Sequence, residues 1–340
     1  MTKAILLILL LANQGYWFGG QDATITATWA VKADLPAAEV VWELSFNRVR
    51  VAQGTMDIKA GDASTTLTLA VPEVRVVTSM LWSYTLKRKD TGEVIQTGEW
   101  PVTLYPKKLY SDFSQRLKTR KLTIIDPQPE LSDFLTANGI PNTRLSEASS
   151  LETRQADVLL VAPGAMGNAA LVQERLVEQA KHGASIAVLC QDGENMIGYR
   201  LTSRPLGPLS YRLHHPLLAD LDASAQEAFF HTAREIRAIA LPSDEPALDV
   251  VSFSRETPGT NPVPIDGLLV TKTMGSGRIV LCQCPVPAPS QHPLAQVFYN
   301  NLLNYLLTRP EPTLAPSARE PAIVPATTGP AKNLLPLNGE

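Results

Sequence analysis

Cysteine is scarce in this 340-residue chain, which has only Cys190, Cys282 and Cys284. Three thiols do not make a disulfide framework. Cys282 and Cys284 stand at i and i+2 of one strand-like run, on the same face, which is poor geometry for a bridge between them. Buried free thiols are the expectation, and packing alone must hold the fold together. Aromatic residues make up 6% of the chain and charged residues 19%, with a net charge of −3 and basic residues scattered along the sequence. No basic stripe with interleaved aromatics is present, which excludes nucleic acid as the expected partner. No apolar run approaches the roughly 20 residues of a membrane-spanning helix. There is no G-x-S-x-G, no Walker loop and no dinucleotide fingerprint, so no cofactor is expected. His214-His215 has no ligand partner at i+2 or i+4, so no metal is expected either.

What is present begins with Met1-Thr2-Lys3 and the apolar run over residues 4–12, one positive charge ahead of nine apolar residues. That is the form of a secretory signal peptide, and residues 1–19 are read as a leader directing export to a periplasmic or extracellular location. The competing reading is a buried first strand of the domain that follows.

Residues 20–106 alternate with period two. Val40, Trp42, Leu44 and Phe46 share one face, as do Leu67, Leu69 and Val71, and again Trp82, Tyr84 and Leu86. With turn signals at Asn47, Gly54, Asp90 and Gly98, the pattern predicts an immunoglobulin-like antiparallel sandwich. All five tryptophans, Trp17, Trp29, Trp42, Trp82 and Trp100, fall in the first 100 residues. Trp42 and Trp82 are in phase with apolar neighbours and belong to the core. Trp17 and Trp100 are not clearly in phase and are candidates for an aromatic binding face.

Residues 107–120 form a polar, basic connector. From 121 to 309 continuous apolar runs alternate with helical patterns. The runs include residues 122–125, 156–161 and 185–190, and a closing hairpin is expected across Gly275-Ser276-Gly277. Such strands predict a parallel sheet covered on both faces, a doubly wound flavodoxin-like α/β domain. Residues 310–340, rich in Pro, Ala and Thr, read as a disordered tail.

In an open parallel sheet the carboxyl ends of the strands are where ligands bind. One such end carries Pro163, Gly164, Ala165 and Gly167, a loop whose backbone N–H groups would hold an anion or a carbonyl oxygen if they are free. Its plain alternative is a tight strand-to-helix turn. Another end carries Cys190, a candidate nucleophile lacking the small flanks of a sharp elbow. Among the histidines, His292 is the best-placed base for it. Gln191, Asp192, His214, His215 and Cys284 are the candidate ligand rim.

Residues 120–307 resemble the class I glutamine amidotransferase-like superfamily, on Ala162-Pro163-Gly164-Ala165, on Cys190 and on the closing strand Arg278-Ile279-Val280-Leu281-Cys282-Gln283 with its following helix. Together with the preceding sandwich, the segment from His215 to Leu221 is similar to accessory regions of some bacterial family 2-type glycoside hydrolases. The resemblance implies that Cys190 occupies the nucleophile position and residues 162–165 the oxyanion loop. It also implies that the catalytic His and Glu are replaced by Cys284 and Val286. The expectation is a non-catalytic exported accessory protein, a binding or assembly module linked to carbohydrate metabolism. Its partner would be a carbohydrate or another exported protein. Two rivals are a cysteine-dependent hydrolase or amidase using Cys190 and His292, and a structural cell-envelope component.

Overall fold

The computed structural model describes residues 7–11, 15–29, 37–59, 64–151, 156–167, 170–212, 214–230, 235–242, 247–254, 265–286, 289–290 and 292–308. The chain forms two compact units: Met1–Leu109 with Gln291–Leu294, and Tyr110–Ser290 with Ala295–Glu340. The expected tail over 310–340 lies outside the described residues.

The first unit is built from strands β1 (Leu7–Leu11), β2 (Tyr16–Phe18), β3 (Asp22–Trp29), β4 (Ala38–Phe46), β5 (Val49–Ile58), β6 (Ser64–Ala70), β7 (Thr78–Arg88) and β8 (Val94–Tyr105). They form a three-stranded sheet in the order β1-β3-β6 and a five-stranded sheet in the order β2-β8-β7-β4-β5. Alternation along each strand turns one apolar row inward. Ile25 and Leu69 from the narrow sheet pack with Val40, Trp42, Leu44, Trp82 and Leu86 from the wide one in a single core. The two large rings on the wide sheet need space that only glycine leaves. Gly54 lies opposite Trp42 and Gly98 opposite Tyr84, and a Cβ there would come within 2.7 Å and 2.5 Å of the facing rings. Asn47 and Arg48 close the β4–β5 hairpin with φ of 48° and 66°. Two left-handed residues in a row are what a two-residue turn between twisted strands requires.

The segment expected to be a leader contributes to this unit. β1 pairs antiparallel with β3, from Leu7 opposite Trp29 to Leu11 opposite Ile25. β2 pairs parallel with β8, and Tyr16, Trp17 and Phe18 are all buried. Gly19 N–H then donates to Tyr105 O at 2.9 Å. The leader boundary at residue 19 therefore falls inside hydrogen-bonded structure.

The second unit contains helix α1 (Phe113–Arg116), strand β9 (Leu122–Ile125), α2 (Glu130–Ala137), β10 (Thr143–Leu145), β11 (Val158–Val161), α3 (Ala170–Lys181) and β12 (Ser185–Leu189). These are followed by β13 (Asn195–Met196), β14 (Tyr199–Pro205), β15 (Ser210–Tyr211), α4 (Ala223–Phe230), β16 (Glu235–Leu241), β17 (Leu248–Ser254), β18 (Ile265–Met274), β19 (Gly277–Cys282) and α5 (Pro293–Leu307). One eleven-stranded sheet organises it. Strands β10, β9, β11, β12 and β19 run parallel in that order. The rest are antiparallel: β18 pairs β19, β17 and β16, and β14 pairs β16 and β13.

This overturns the doubly wound flavodoxin-like expectation, and with it the amidotransferase-like resemblance and the fold class built on it. The chain is predominantly β, with nineteen strands against five α-helices among the described residues. The physical reason lies in residues 191–264, where the regular alternation of strand and helix fades, and in the β18 run that follows. They supply antiparallel strands, not helical crossovers. The β18 run is buried from Asp266 to Thr271, and a strand covered on both faces reads as a continuous apolar run whether its neighbours are parallel or antiparallel.

Because Trp17 is 3% exposed within the sandwich core, Trp17→Ala is expected to destabilise the first unit by about 3–5 kcal/mol, as for other buried aromatic truncations. Urea unfolding followed by far-ultraviolet circular dichroism would measure it. A loss under about 1 kcal/mol, the range of surface substitutions, would place this indole outside the core.

Candidate functional site

The carboxyl ends of the parallel strands bring together the residues singled out in the sequence. β11 is followed by Ala162-Pro163, β12 by Cys190 and β19 by Gln283. In the loop after β11, Gly164 and Gly167 adopt φ of 67° and 61°, the left-handed region where glycine is favoured. Three of its N–H groups already have partners. Gly164 N–H donates to Cys190 O at 2.9 Å and Ala165 N–H to Ala162 O at 3.1 Å. Met166 N–H donates to Gln191 Oε1 at 2.9 Å. A loop whose donors are satisfied by its own chain does not offer them to an oxyanion.

The fastener is Gln191, 2% exposed. Its Nε2 donates to Ala162 O at 2.9 Å and also to Leu189 O. Gln283, also buried, donates from Nε2 to Gln191 O at 3.2 Å, and its backbone N–H donates to Leu268 O at 2.7 Å. One strand further out, the Asp126 carboxylate at the end of β9 accepts from Ser132 N–H at 2.9 Å and so satisfies the first turn of α2. The sequence reading placed Gln191 on a ligand rim. The structure uses it as an internal clasp, and it gives Gln283 and Asp126 related roles that the sequence reading did not assign. The available signal was a glutamine immediately beyond each of two buried strands.

Cys190 is partly buried, with its thiol 3.9 Å from Gln283 O. Burial and then the nearby Asp192 carboxylate raise its pKa above the ordinary thiol value. A nucleophilic cysteine needs the opposite shift. Cys282 and Cys284 are fully buried. Burial pushes the Cys282 thiol up to about 12 and that of Cys284 well above its ordinary value. Cys284 does not reach a rim: its sulfur sits 3.8 Å from Phe229 O, in a cluster where Phe229 meets Phe230 and Phe298 at 5.0 and 5.4 Å between ring centroids.

His292 belongs to the short segment grouped with the first unit, whereas Cys190 belongs to the second. Its Nδ1 accepts from Leu294 N–H at 3.1 Å at the start of α5, and burial lowers its pKa. Asp192 and His214 are exposed. His215 is a structural cap. Its Nδ1 accepts from Leu217 N–H at 3.2 Å, opening a single 3-10 turn over Pro216–Leu218. Its ring lies 5.1 Å from that of Tyr305. Burial, then Arg212 and Arg278, lower its pKa to about 4. Of the two aromatic candidates, Trp17 is buried and Trp100 is 45% exposed. No group of three or more metal-ligating side chains occurs among the described residues, and none of their helices is long and apolar enough to cross a membrane.

No family model matches the chain, and no curated protein matches it. Solved structures align with under a third of it. A domain of an outer membrane lipoprotein from Porphyromonas gingivalis is 13% identical, covering 30% of this chain and 98% of its own, with a TM-score of 0.23. A Niemann-Pick type C2 protein from Japanese carpenter ant is 9% identical, covering 28% of this chain and 89% of its own, with a TM-score of 0.22. A CARDB domain from Pyrococcus furiosus is 8% identical, covering 30% and 94%, with a TM-score of 0.22.

Two outcomes follow from this geometry. Gln191→Leu leaves Met166 N–H and Ala162 O buried without these partners, and is expected to cost about 2–4 kcal/mol in chemical denaturation. A neutral result would mean that the amide does not fasten the strand ends. For His215, an unfolded chain takes up a proton below about pH 6.5 that the folded chain refuses until about pH 4. The stability contributed by the neutral ring is thus complete above about pH 6.5 and falls as pH drops toward 4, by up to about 3 kcal/mol. Stability measured against pH should have a shallower slope in that window for His215→Gln. An unchanged slope would assign the acid sensitivity elsewhere.

Proposed function

We propose that the protein is a non-catalytic, exported binding module whose ligand is a carbohydrate, taken on the first unit. The observation that carries this reading is Trp100. It is 45% exposed, while Trp17, Trp42 and Trp82 are 3%, 7% and 0% exposed. Trp100 lies directly opposite the buried Trp82 across the β7–β8 ladder. Three strands are too few to cover a face of five, which leaves the core-side row of β8 partly open at this indole. An exposed indole on a rigid strand is a ready platform for the apolar face of a sugar ring.

The reading is supported from the other unit by the state of the chemical groups there. The loop donors are taken up internally, the Cys190 thiol is shifted away from reactivity, and His292 Nδ1 serves a helix start. These three observations weigh against the alternative of a hydrolase using Cys190 and His292. Export rests on Lys3 and the apolar run over residues 4–12.

The test is a panel of soluble oligosaccharides titrated against intrinsic tryptophan fluorescence in wild type and Trp100→Ala. The expected outcome is saturable binding to at least one glycan, weakened at least about tenfold, or about 1.4 kcal/mol, in the variant. Equal binding by both proteins, or no glycan bound by wild type, would end the carbohydrate reading.

A further inference from the structure

The opposite, amino-terminal end of the same parallel strands carries a different feature. Residues 116–121 hold Arg116, Lys118, Arg120 and Lys121 with no acid among them, in a chain of net charge −3. Two of the four have structural roles. Arg116 donates to Asn304 Oδ1 and lies over the Phe113 ring, 5.5 Å from its centroid. Arg120 donates through one nitrogen to Leu307 O at 2.8 Å, at the carboxyl end of α5. Lys118 and Lys121 are exposed, and neither makes a side-chain ion pair among the described residues.

These cations surround a cavity. Lys118, Arg120 and Lys121 line an open cleft of about 450 Å³ with Thr119, Thr143 and Asp157, a volume in the range of small-molecule sites. The one carboxylate there is already engaged, since Asp157 Oδ2 accepts the Lys121 backbone N–H at 2.7 Å. Three cations against one acid leave a surplus of two positive charges in a concave site. A single carboxylate neutralises one of them. A compact, multiply charged anion meets both ammonium groups and the free side of the guanidinium at once, with the Thr119 and Thr143 hydroxyls at hand as further donors.

We propose that this cleft binds a small phosphate-bearing molecule with at least two negative charges, through Lys118, Lys121 and Arg120. The site is independent of Trp100 and stands or falls without it. The probe is inorganic pyrophosphate, titrated calorimetrically into the full chain at low and at about 0.15 M ionic strength. Expected is saturable one-site binding that weakens with salt, falls at least tenfold in Lys118→Glu/Lys121→Glu, and is unchanged in Trp100→Ala. Both lysines are exposed, so the double variant should unfold like wild type. As a check that needs no variant, pyrophosphate should protect Lys118 and Lys121 of the wild-type chain from acetylation, read by peptide mass spectrometry. No saturable heat, or equal affinity in the double variant, would overturn the proposal. So would indifference to pyrophosphate combined with lysine-dependent sedimentation on phosphatidylglycerol vesicles, which would make the patch a membrane contact.

Discussion

The clasp formed by Gln191 and Gln283 is the constraint on which the second unit's chemistry depends. A buried amide that loses its partners costs more than a satisfied one contributes, so each bond these two side chains make counts. Here Gln191 joins the ends of β11 and β12 and fixes the loop between β11 and α3, and Gln283 ties the end of β19 to the Gln191 carbonyl. Three strand ends and one loop are thereby held by two side chains. The same arrangement that gives the edge its rigidity leaves it without free donors at Gly164, Ala165 and Met166. Cys190 sits within this closed arrangement, where withdrawal from water disfavours the thiolate.

The antiparallel extension of the sheet is the other determinant. β18 is paired along both edges, with β17 on one side and with β16 and then β19 on the other. It can therefore join the parallel strands to the antiparallel ones without a helical crossover. α5 follows β19, and its carboxyl-terminal carbonyls need partners. Arg278 donates to Tyr305 O at 3.2 Å and Thr308 O at 3.0 Å, and Arg120 supplies Leu307 O. Guanidinium groups suit this position twice over, as donors and as positive charge at the negative end of the helix dipole. Arg278 is also stacked 4.4 Å from the Tyr305 ring centroid. Part of the basic character of the connector is thus explained by α5.

Much of the first unit was legible because its signal is local: alternation set Trp42, Trp82 and Leu86 inward, and Asn47 marked a hairpin. In the second unit Gly275-Ser276-Gly277 likewise marked the β18–β19 turn. Trp17 was misread because a three-residue strand is too short to show a period, and because a charge followed by an apolar run is shared by leaders and by first strands. The second unit was legible at its parallel strands and not beyond them, since a doubly covered antiparallel strand carries the same apolar run. Cys284 was misplaced for a related reason: two residues past a strand end, the chain direction decides between rim and core, and Phe229 and Phe230, distant in sequence, lie against its sulfur. A glutamine just past each of two buried strands was the one signal of the clasp; its partners, backbone atoms of other strands, have no sequence signature.

The two ends of the parallel strands differ in how their polar groups are disposed, and this matters more than their position in the topology. Carboxyl ends of parallel strands are the customary place for a ligand because loops and helix starts there present unsatisfied donors. That argument applies only while the donors remain unsatisfied. In this chain the Gly164, Ala165 and Met166 N–H groups at that end are already bonded to the protein itself. At the amino end, Lys118 and Lys121 keep their charge at a concave surface whose single acid is committed to a backbone N–H. Clustered like charges repel one another more strongly near low-dielectric protein than in open water, and a bound anion relieves that repulsion. The electrostatics thus favour the end of the sheet that topology alone would pass over.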